Sequence, residues 1–579
     1  MFDKKNINGY TYDMQKIKAK KWIVSPEPSI NKLDEVYDEI TAMLLYNRGI
    51  EIEGLAREFL DPDFYNIPDP MIIPGMKEGT SRIIQAIEKK EKICIYGDYD
   101  VDGVTATALL MSLFSKIGME VEYYIPSRID EGYGLSKKVI QKLAKDGVNL
   151  IITVDCGITA VDEVKEANSL GVDVIITDHH EPPTKLPQAI SIIHPALKGS
   201  KYLTKNLAGV GVAYKLAQAI MEQINYSKKV EFLKWSLDLV ALGTVADLVP
   251  LLGENRVLVY YGLIVLSKTQ RIGLKKLFEV SSINPKELDS LKIAFQLAPR
   301  INAAGRLSHA KEGLELLLTE DEERAEVLAE HLSKLNSERQ KKTEKILMEA
   351  FGKIDNLPDD MKFIVLHSPL WSSGIIGIVA SKIVEAYARP VILLEENGEV
   401  LHGSGRSIAT VDLYKILSKL ESHFINFGGH KMAAGVTLNK SNYENFLEQL
   451  HEISSQLIDS DDLVNLVRIE VRINFSQIDY SLLETIDKFK PFGNGNQAPI
   501  FMTEKLLVKY FDLVGKNKNH IKLLLVDESG SSFNAIGFGM GDVEIAPGSI
   551  VDIAYKLHLN EWNNKKNIDL VIEDICIKK

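Results

Sequence analysis

Residues 97–103 read Gly97-Asp98-Tyr99-Asp100-Val101-Asp102-Gly103, three aspartates at every second position between two glycines. In an extended chain, side chains two apart share a face, so the three carboxylates are expected to point into one small volume. Like charges held that close repel and raise one another's pKa unless a cation lies between them. The stretch therefore predicts a metal ion. An EF-hand loop begins the same way but needs a bidentate glutamate at its twelfth position. Counted from Asp98 that position is Leu109, inside the apolar run Ala106-Thr-Ala-Leu-Leu-Met111, and the calcium reading fails. Residues 93–96 have the composition of a buried strand, and 104–116 have helical spacing. Strand, tight acidic turn and helix in succession place the carboxylates at the C-terminal edge of a sheet, where open α/β folds keep their ligand sites.

Working outward, the arrangement recurs. The apolar run 150–154 ends in Asp155-Cys156-Gly157, and 172–177 ends in Asp178-His179-His180. A fourth acid, Asp247, sits in the mostly apolar stretch 239–252, where an aspartate has to be paired or metal-bound. Singly, each has a bland reading: Asp155 a helix N-cap, the histidines loop hydrogen bonders, Asp247 a helix cap or lysine partner. Their joint placement on successive strand ends favours a metal centre. Carboxylates with one or two imidazoles and no thiolate suit Mn²⁺ or Mg²⁺. Five to seven candidate ligands exceed the needs of one ion. Two ions about 3.5–4 Å apart and bridged by one carboxylate would use them, in hydrolysis of a phosphoester or phosphoanhydride.

The chain has 579 residues, too many for one core, and 45% hydrophobic and 26% charged residues are ordinary for a globular protein. No apolar run reaches the roughly 18 residues that a membrane span requires, and the polar start lacks a signal-peptide core. Three cysteines, Cys94, Cys156 and Cys576, with no C-x-x-C pair fit a reducing cytoplasm. The net charge of −12 by itself argues against nucleic acid as a partner, though acidic sites can mask a local basic groove.

Along the chain, 1–80 reads as a mostly helical lead-in with loop signals at Pro26-Glu27-Pro28 and Asp61-Pro62-Asp63. From 81 to 318 a βαβ rhythm predicts a mostly parallel sheet with helices on both faces, helical throughout after 209. Thr319-Glu-Asp-Glu322 has the form of a capping box and opens a connecting helix over 319–352, free of Gly and Pro from Glu320 to Phe351. A smaller α/β unit, 353–462, follows. Its closing helix begins at a second box-like pattern, Ser441-x-x-Glu444. Short alternating segments in 463–579 predict a β-barrel. The fold class is thus α/β: a parallel-sheet domain, a second α/β domain joined by a long helix, and a C-terminal barrel.

Asp98-Tyr-Asp100-Val-Asp102, Val154-Asp155-Cys-Gly157, Asp178-His179-His180 and Gly243-Thr-Val-Ala-Asp247 together resemble the four motifs of the DHH phosphoesterase superfamily. Pro299-Arg300-Ile-Asn302-Ala-Ala-Gly-Arg306, Ser373-Gly374-Ile-Ile-Gly377, Gly403-Ser404-Gly405-Arg406-Ser407 and Gly428-Gly429-His430 narrow this to the RecJ family, bacterial single-strand-specific 5′-to-3′ DNA exonucleases. Pro491-Phe-Gly-Asn-Gly495 resembles the family's segment leading into an OB-like, nucleic-acid-binding barrel. The resemblance implies Asp100, Asp102, Asp155, His179 and Asp247 as metal ligands, with Asp155 bridging two ions. Asp98 and His180 would complete the catalytic set, Asp98 as a further ligand and His180 toward a water or the scissile phosphate. Arg300, Asn302, Arg306, Ser373, Gly374, Ser404, Arg406, Gly429 and His430 would hold substrate phosphates. It further implies single-stranded DNA as substrate, release of mononucleotides in repair and recombination, and a monomer. A single-strand-binding protein and a helicase are the implied partners.

A phosphodiesterase of short oligonucleotides or small phosphoesters would share the two α/β domains but has no use for the barrel. A catalytically dead DNA-binding scaffold would have lost some of the acids, and all are present. In the barrel region Phe492, Tyr510, Phe511, Phe538, Tyr555 and Trp562 are candidates to stack bases. Lys505, Lys509, Lys516, Lys518 and Lys522 are candidates for phosphate contacts, so the segment is expected to add affinity and nothing to the chemical step.

Overall fold

The structure, a computed structural model, describes residues 4–7, 10–13, 20–26, 32–128, 131–358, 361–562 and 565–578. The loop signal at Glu27-Pro28 and the side chain of Trp562 lie outside the described residues. The chain packs as two compact units: Arg57–Arg339 with Phe489–Gln497, and Met1–Ala56 with Gln340–Lys488 and Ala498–Lys579. None of the described helices is long and apolar enough to cross a membrane.

The unit built on Arg57–Arg339 centres on a five-stranded, all-parallel sheet in the order Glu122–Tyr124, Ile93–Tyr96, Leu150–Val154, Asp173–Thr177, Ser191–Ile193. Burial on both faces explains the near-continuous apolar runs. Ile93, Ile95, Leu150, Ile152, Val154 and Ile175 join one core, while Cys94, Tyr96, Ile151, Val174 and Ile176 join the other. The larger core is closed by Val101–Lys116, Gly209–Gln223 and Leu237–Ala246, whose inward faces are fully buried.

The capping box expected at Thr319 is displaced. Asp321 caps the long helix Glu322–Ile354 by accepting the Arg324 N–H, and the Thr319 hydroxyl accepts from Asp321 instead. The boundary between the units falls within this helix, after Arg339. Likewise the helix Tyr443–Leu457 starts at Asn442 without a side-chain cap, so Ser441-x-x-Glu444 forms no box.

In the second unit a mixed five-stranded sheet runs Phe424–Gly429, Ala433–Asn439, Val400–Arg406, Val391–Asn397, Ile364–Ser368, only the last pair parallel. The barrel is closed: Phe501–Val514, His520–Val526, Ser532–Gly537, Lys565–Lys578 and Ile550–Trp562 pair in a ring that returns to Phe501–Val514. Closure leaves no edge to aggregate. Ahead of the barrel, residues 466–475 contribute two short strands, Leu466–Ile469 and Val471–Arg472.

The lead-in also differs from expectation. It contains the helices Glu39–Tyr46, Glu53–Leu60 and Met76–Lys89, but Lys21–Val24 is a strand parallel to Leu466–Ile469. The Trp22 indole N–H donates to Asp574 at 2.6 Å, and Arg48 grips Glu470 with its two terminal guanidinium nitrogens. Only these distant partners make 21–24 a strand, and nothing local in the sequence announces them.

Candidate metal centre

The turn that follows Ile93–Tyr96 is not the extended ribbon expected for an every-second-residue pattern. Asp100 caps Val101–Lys116 through the Gly103 N–H at 3.1 Å, which puts Asp102 in the first helical turn. The three carboxylates consequently divide. Asp98 and Asp100 gather with Asp155, while Asp102 gathers with His179 and Asp247. Asp155 also joins His179 and His180, so it is shared between neighbouring clusters. Asp102 is oriented by the N-terminus of Gly209–Gln223, accepting the Gly209 and Val210 N–H groups at 2.5 and 2.8 Å, the kind of anion site a helix start provides.

His179 Nε2 lies 3.1 Å from Asp155 Oδ1, 3.8 Å from Asp102 Oδ2 and 3.7 Å from Asp247 Oδ2. Its ring is fixed by a hydrogen bond to the Leu207 main chain. Asp98 Oδ1, Asp155 Oδ1 and His179 Nε2 are buried polar atoms with no hydrogen-bond partner. Buried polar atoms left unpaired are costly. Lone pairs of carboxylates and a neutral imidazole converging on one space are what divalent cations with oxygen and nitrogen ligands require. The residues fit Mn²⁺ or Mg²⁺.

Without a cation the site is electrostatically frustrated. Burial, then Asp100, pushes the Asp102 carboxyl up to about 7, and burial, then Asp102, pushes Asp247 up to about 9. Asp98 and Asp155 are raised well above the carboxylate range, by burial first and by the neighbouring acids next. Burial lowers His179 to about 3, leaving a neutral ring. A carboxylate that binds its proton more tightly folded than unfolded stabilises the fold below its ordinary pKa of about 4, and that stability is lost as pH rises through the folded value. Metal-free protein should therefore melt several degrees lower at pH 9 than at pH 6. Saturating Mn²⁺, which needs deprotonated ligands, should flatten or reverse the slope. Thermal melts in chelator and in Mn²⁺ across this range test it. A pH-independent melting temperature in chelator would contradict the frustrated site.

Asp178, the first residue of the triplet, faces away from the cluster. It accepts the N–H groups of Ile158, His179 and His180 and takes the His180 Nδ1 at 2.7 Å. These bonds lower it to about 2 despite its burial. Its partner His180 is raised to about 9 by Asp178, against the effect of burial. Tyr133, which carried no signal in the sequence, places its hydroxyl 3.1 Å from His180 Nδ1 and 3.4 Å from the Asp155 carbonyl.

The expected phosphate-holding residues fall into separate groups. Arg306 lies in the last turn of the helix Ala298–Leu307, beside the acidic turn: a side chain at Gly305 would lie 2.8 Å from the Tyr99 carbonyl, and Arg306 acts electrostatically on the Tyr99 hydroxyl. Arg300 turns elsewhere, to the Gln296 carbonyl and the Ser333 hydroxyl, and Asn302 is half-buried in the same helix.

In the other unit, Arg406 pairs opposite Ala433, and the His430 N–H donates to the Ala433 carbonyl at 2.7 Å, so one strand brings both residues together with Gly429. A Cβ at Gly429 would stand 2.4 Å from that carbonyl. The helix Ser373–Tyr387, which carries Gly374 in its first turn, packs against Ser404 and Arg406 through Gly377, where a Cβ would come within 2.9 Å of both side chains. The Ser373 N–H is taken by Glu395 at 2.9 Å.

Of the barrel aromatics, Tyr555 is core, its hydroxyl bonded to Thr503, whereas Tyr510 and Phe538 are 50% and 58% exposed. Phe492 lies in the loop that joins the other unit.

Sequence comparison places this geometry. Residues 92–244 match the DHH family, N-terminal domain; 360–456 match the DHHA1 domain; 469–574 match the RecJ OB domain. A Bacillus subtilis single-stranded-DNA-specific exonuclease RecJ is 40% identical over 93% of this chain and 68% of its own length. The Haemophilus influenzae RecJ is 34% identical over 89% of this chain and 93% of that one. The crystal structure of Thermus thermophilus RecJ in complex with Mn²⁺ aligns over 96% of this chain and 80% of that one, with a TM-score of 0.84 and 29% identity. A Mg²⁺ complex of the Thermus protein aligns as well. With a third or more of its residues shared along nearly its whole length, the chain belongs to the RecJ family.

Proposed function

We propose that the protein is a metal-dependent exonuclease that degrades single-stranded DNA from the 5′ end by phosphodiester hydrolysis. The observation that carries this reading is Asp155, shared between clusters of acids and histidines and lined by unpaired buried atoms. Asp98, Asp100, Asp102, Asp155, His179 and Asp247 would hold two Mn²⁺ or Mg²⁺ ions. When bound, such a pair supplies a deprotonated water and neutralises charge on the phosphoryl oxygens. The protein's own part is positional. The helix start at Gly209 aims Asp102, Asp178 orients His180, and Arg306 stands beside the turn to receive a phosphate oxygen. His180, held cationic through Asp178, would face the scissile phosphate instead of a metal.

Ser404, Arg406, Gly429 and His430 would bind a further phosphate of the same strand. The family's named substrate and the closed barrel with exposed Tyr510 and Phe538 support single-stranded DNA, since such barrels bind strands by stacking and charge. Product mononucleotides, a monomeric state, a cytoplasmic location, and a single-strand-binding protein and helicase as partners belong to the same proposal. Mn²⁺-dependent digestion of 5′- and 3′-labelled single strands beside a blunt duplex tests it. Early release of the 5′ label from single strands alone is the expected outcome, and release from the 3′ end would overturn the polarity.

Arg306→Ala and His430→Ala should each slow cleavage by about tenfold or more, the worth of one charge-assisted contact, with Mn²⁺ affinity almost unchanged. Calorimetric titration of Mn²⁺ into both variants decides. A large loss of metal binding would move these residues from the substrate to the metal.

A further inference from the structure

The segment Phe489–Gln497 packs in the same compact unit as the metal centre, although the chain on either side belongs to the other unit. It is bound there by specific contacts. Arg256, fully buried, donates to the Phe489 carbonyl at 2.8 Å and to the Phe59 carbonyl at 2.9 Å. Ser290 donates its hydroxyl to the Phe492 carbonyl. Gly493 lies so close that a Cβ there would stand 2.6 Å from Leu251.

Asn494 makes the contacts nearest the metal centre. Its side-chain amide donates to the Leu248 carbonyl at 2.6 Å, and its own carbonyl accepts the Leu251 N–H at 2.8 Å. One residue thus fastens both ends of the turn Leu248–Val249–Pro250–Leu251. That turn begins immediately after Asp247, the C-cap residue of the helix Leu237–Ala246. Leu248 itself has φ +61°, the left-handed conformation that helices usually end on with glycine. It is unfavourable for leucine, and at 62% exposure the Leu248 side chain gains little packing to offset it. The hydrogen bond to its carbonyl is a contact that holds it there.

We infer that Asn494 is a positioning residue for Asp247: by holding Leu248 left-handed it fixes the direction in which the Asp247 carboxylate leaves the helix end. The inference rests on the reading of Asp247 as a metal ligand. It also gives the motif Pro491-Phe-Gly-Asn-Gly495 a role in the catalytic unit beyond leading into the barrel.

The test uses the full-length protein. Mn²⁺ binding is followed by electron paramagnetic resonance together with steady-state kinetics on a short oligonucleotide. Asn494→Ala keeps the main-chain bond to Leu251, and melting in chelator verifies the fold. One of two Mn²⁺ ions should bind at least tenfold more weakly, with the other within twofold, and kcat should fall at least tenfold while KM stays within twofold. Glycine adopts positive φ without strain, so adding Leu248→Gly should recover most of the lost Mn²⁺ affinity. Unchanged Mn²⁺ binding in Asn494→Ala, or a loss that Leu248→Gly does not recover, overturns the positioning role. Asp247→Asn separates the two readings. If it keeps both ions, the assignment of Asp247 fails; if it loses one and Asn494→Ala loses none, only the positioning role fails.

Discussion

Replacing Asp155 should abolish hydrolysis, with a fall of at least about a thousandfold, because as the proposed shared ligand its carboxylate would hold both ions, and two-ion sites owe them several kcal/mol. The substitution has to respect the backbone, for Asp155 has φ +62°. Aspartate and asparagine tolerate that conformation, whereas alanine loses about 1–2 kcal/mol in it. Asp155→Asn is therefore the cleaner variant. Its amide can donate to His179 Nε2, 3.1 Å away in the native protein, and so satisfy two buried atoms that lack partners. Metal-free Asp155→Asn should melt above metal-free wild type, and Asp155→Ala at about the same temperature. Retention of more than a tenth of the wild-type rate by either variant would rule out a shared ligand.

Truncation after Asp462 should leave a protein almost inactive even on dinucleotides, a loss of about a hundredfold or more. On the sequence alone the segment from 463 was expected to contribute strand affinity only. The contacts of Arg256, Ser290 and Leu251 with Phe489–Gln497 change that, since the same cut removes part of the catalytic unit. Affinity should reside instead in the barrel's outer face. Tyr510→Ala with Phe538→Ala should weaken binding of a long strand by about 1–3 kcal/mol for each base left unstacked and spare dinucleotide hydrolysis. Changing Lys509 and Lys522 should reduce the log–log salt slope by about 0.7 for each phosphate no longer neutralised. Full dinucleotide activity in the protein truncated after Asp462 would mean that the loop's contacts serve only to fasten it.

The centre was legible wherever chemistry coincided with a strand end. Asp98, Asp155 and His179 stand at the tips of three buried apolar runs, and burial on both faces of a parallel sheet makes such runs conspicuous. What period-two spacing could not convey was the division of Asp98, Asp100 and Asp102, because the helix begins inside the motif and turns Asp102 toward His179 and Asp247. Asp178 looked like its neighbours, although its backbone bonds make it a support for His180. Tyr133 and Asn494 act through a pair of long-range hydrogen bonds each, which leave no periodicity and no composition to read. The barrel was visible as alternation, but the exposure of Tyr510 and the burial of Tyr555 depend on which strand lies opposite.

The pairing of Lys21–Val24 with Leu466–Ile469 bears on synthesis. Arg48 leaves the ribosome 422 residues before its partner Glu470, and at 5–20 residues per second that delay is about 20 to 80 s. Arg57–Arg339 is continuous and can condense while translation proceeds. The strand Lys21–Val24 has no partner until Leu466–Ile469 has been made. The unit that contains this pairing thus completes its fold only after residue 469 has been made, an order of events that the finished fold conceals.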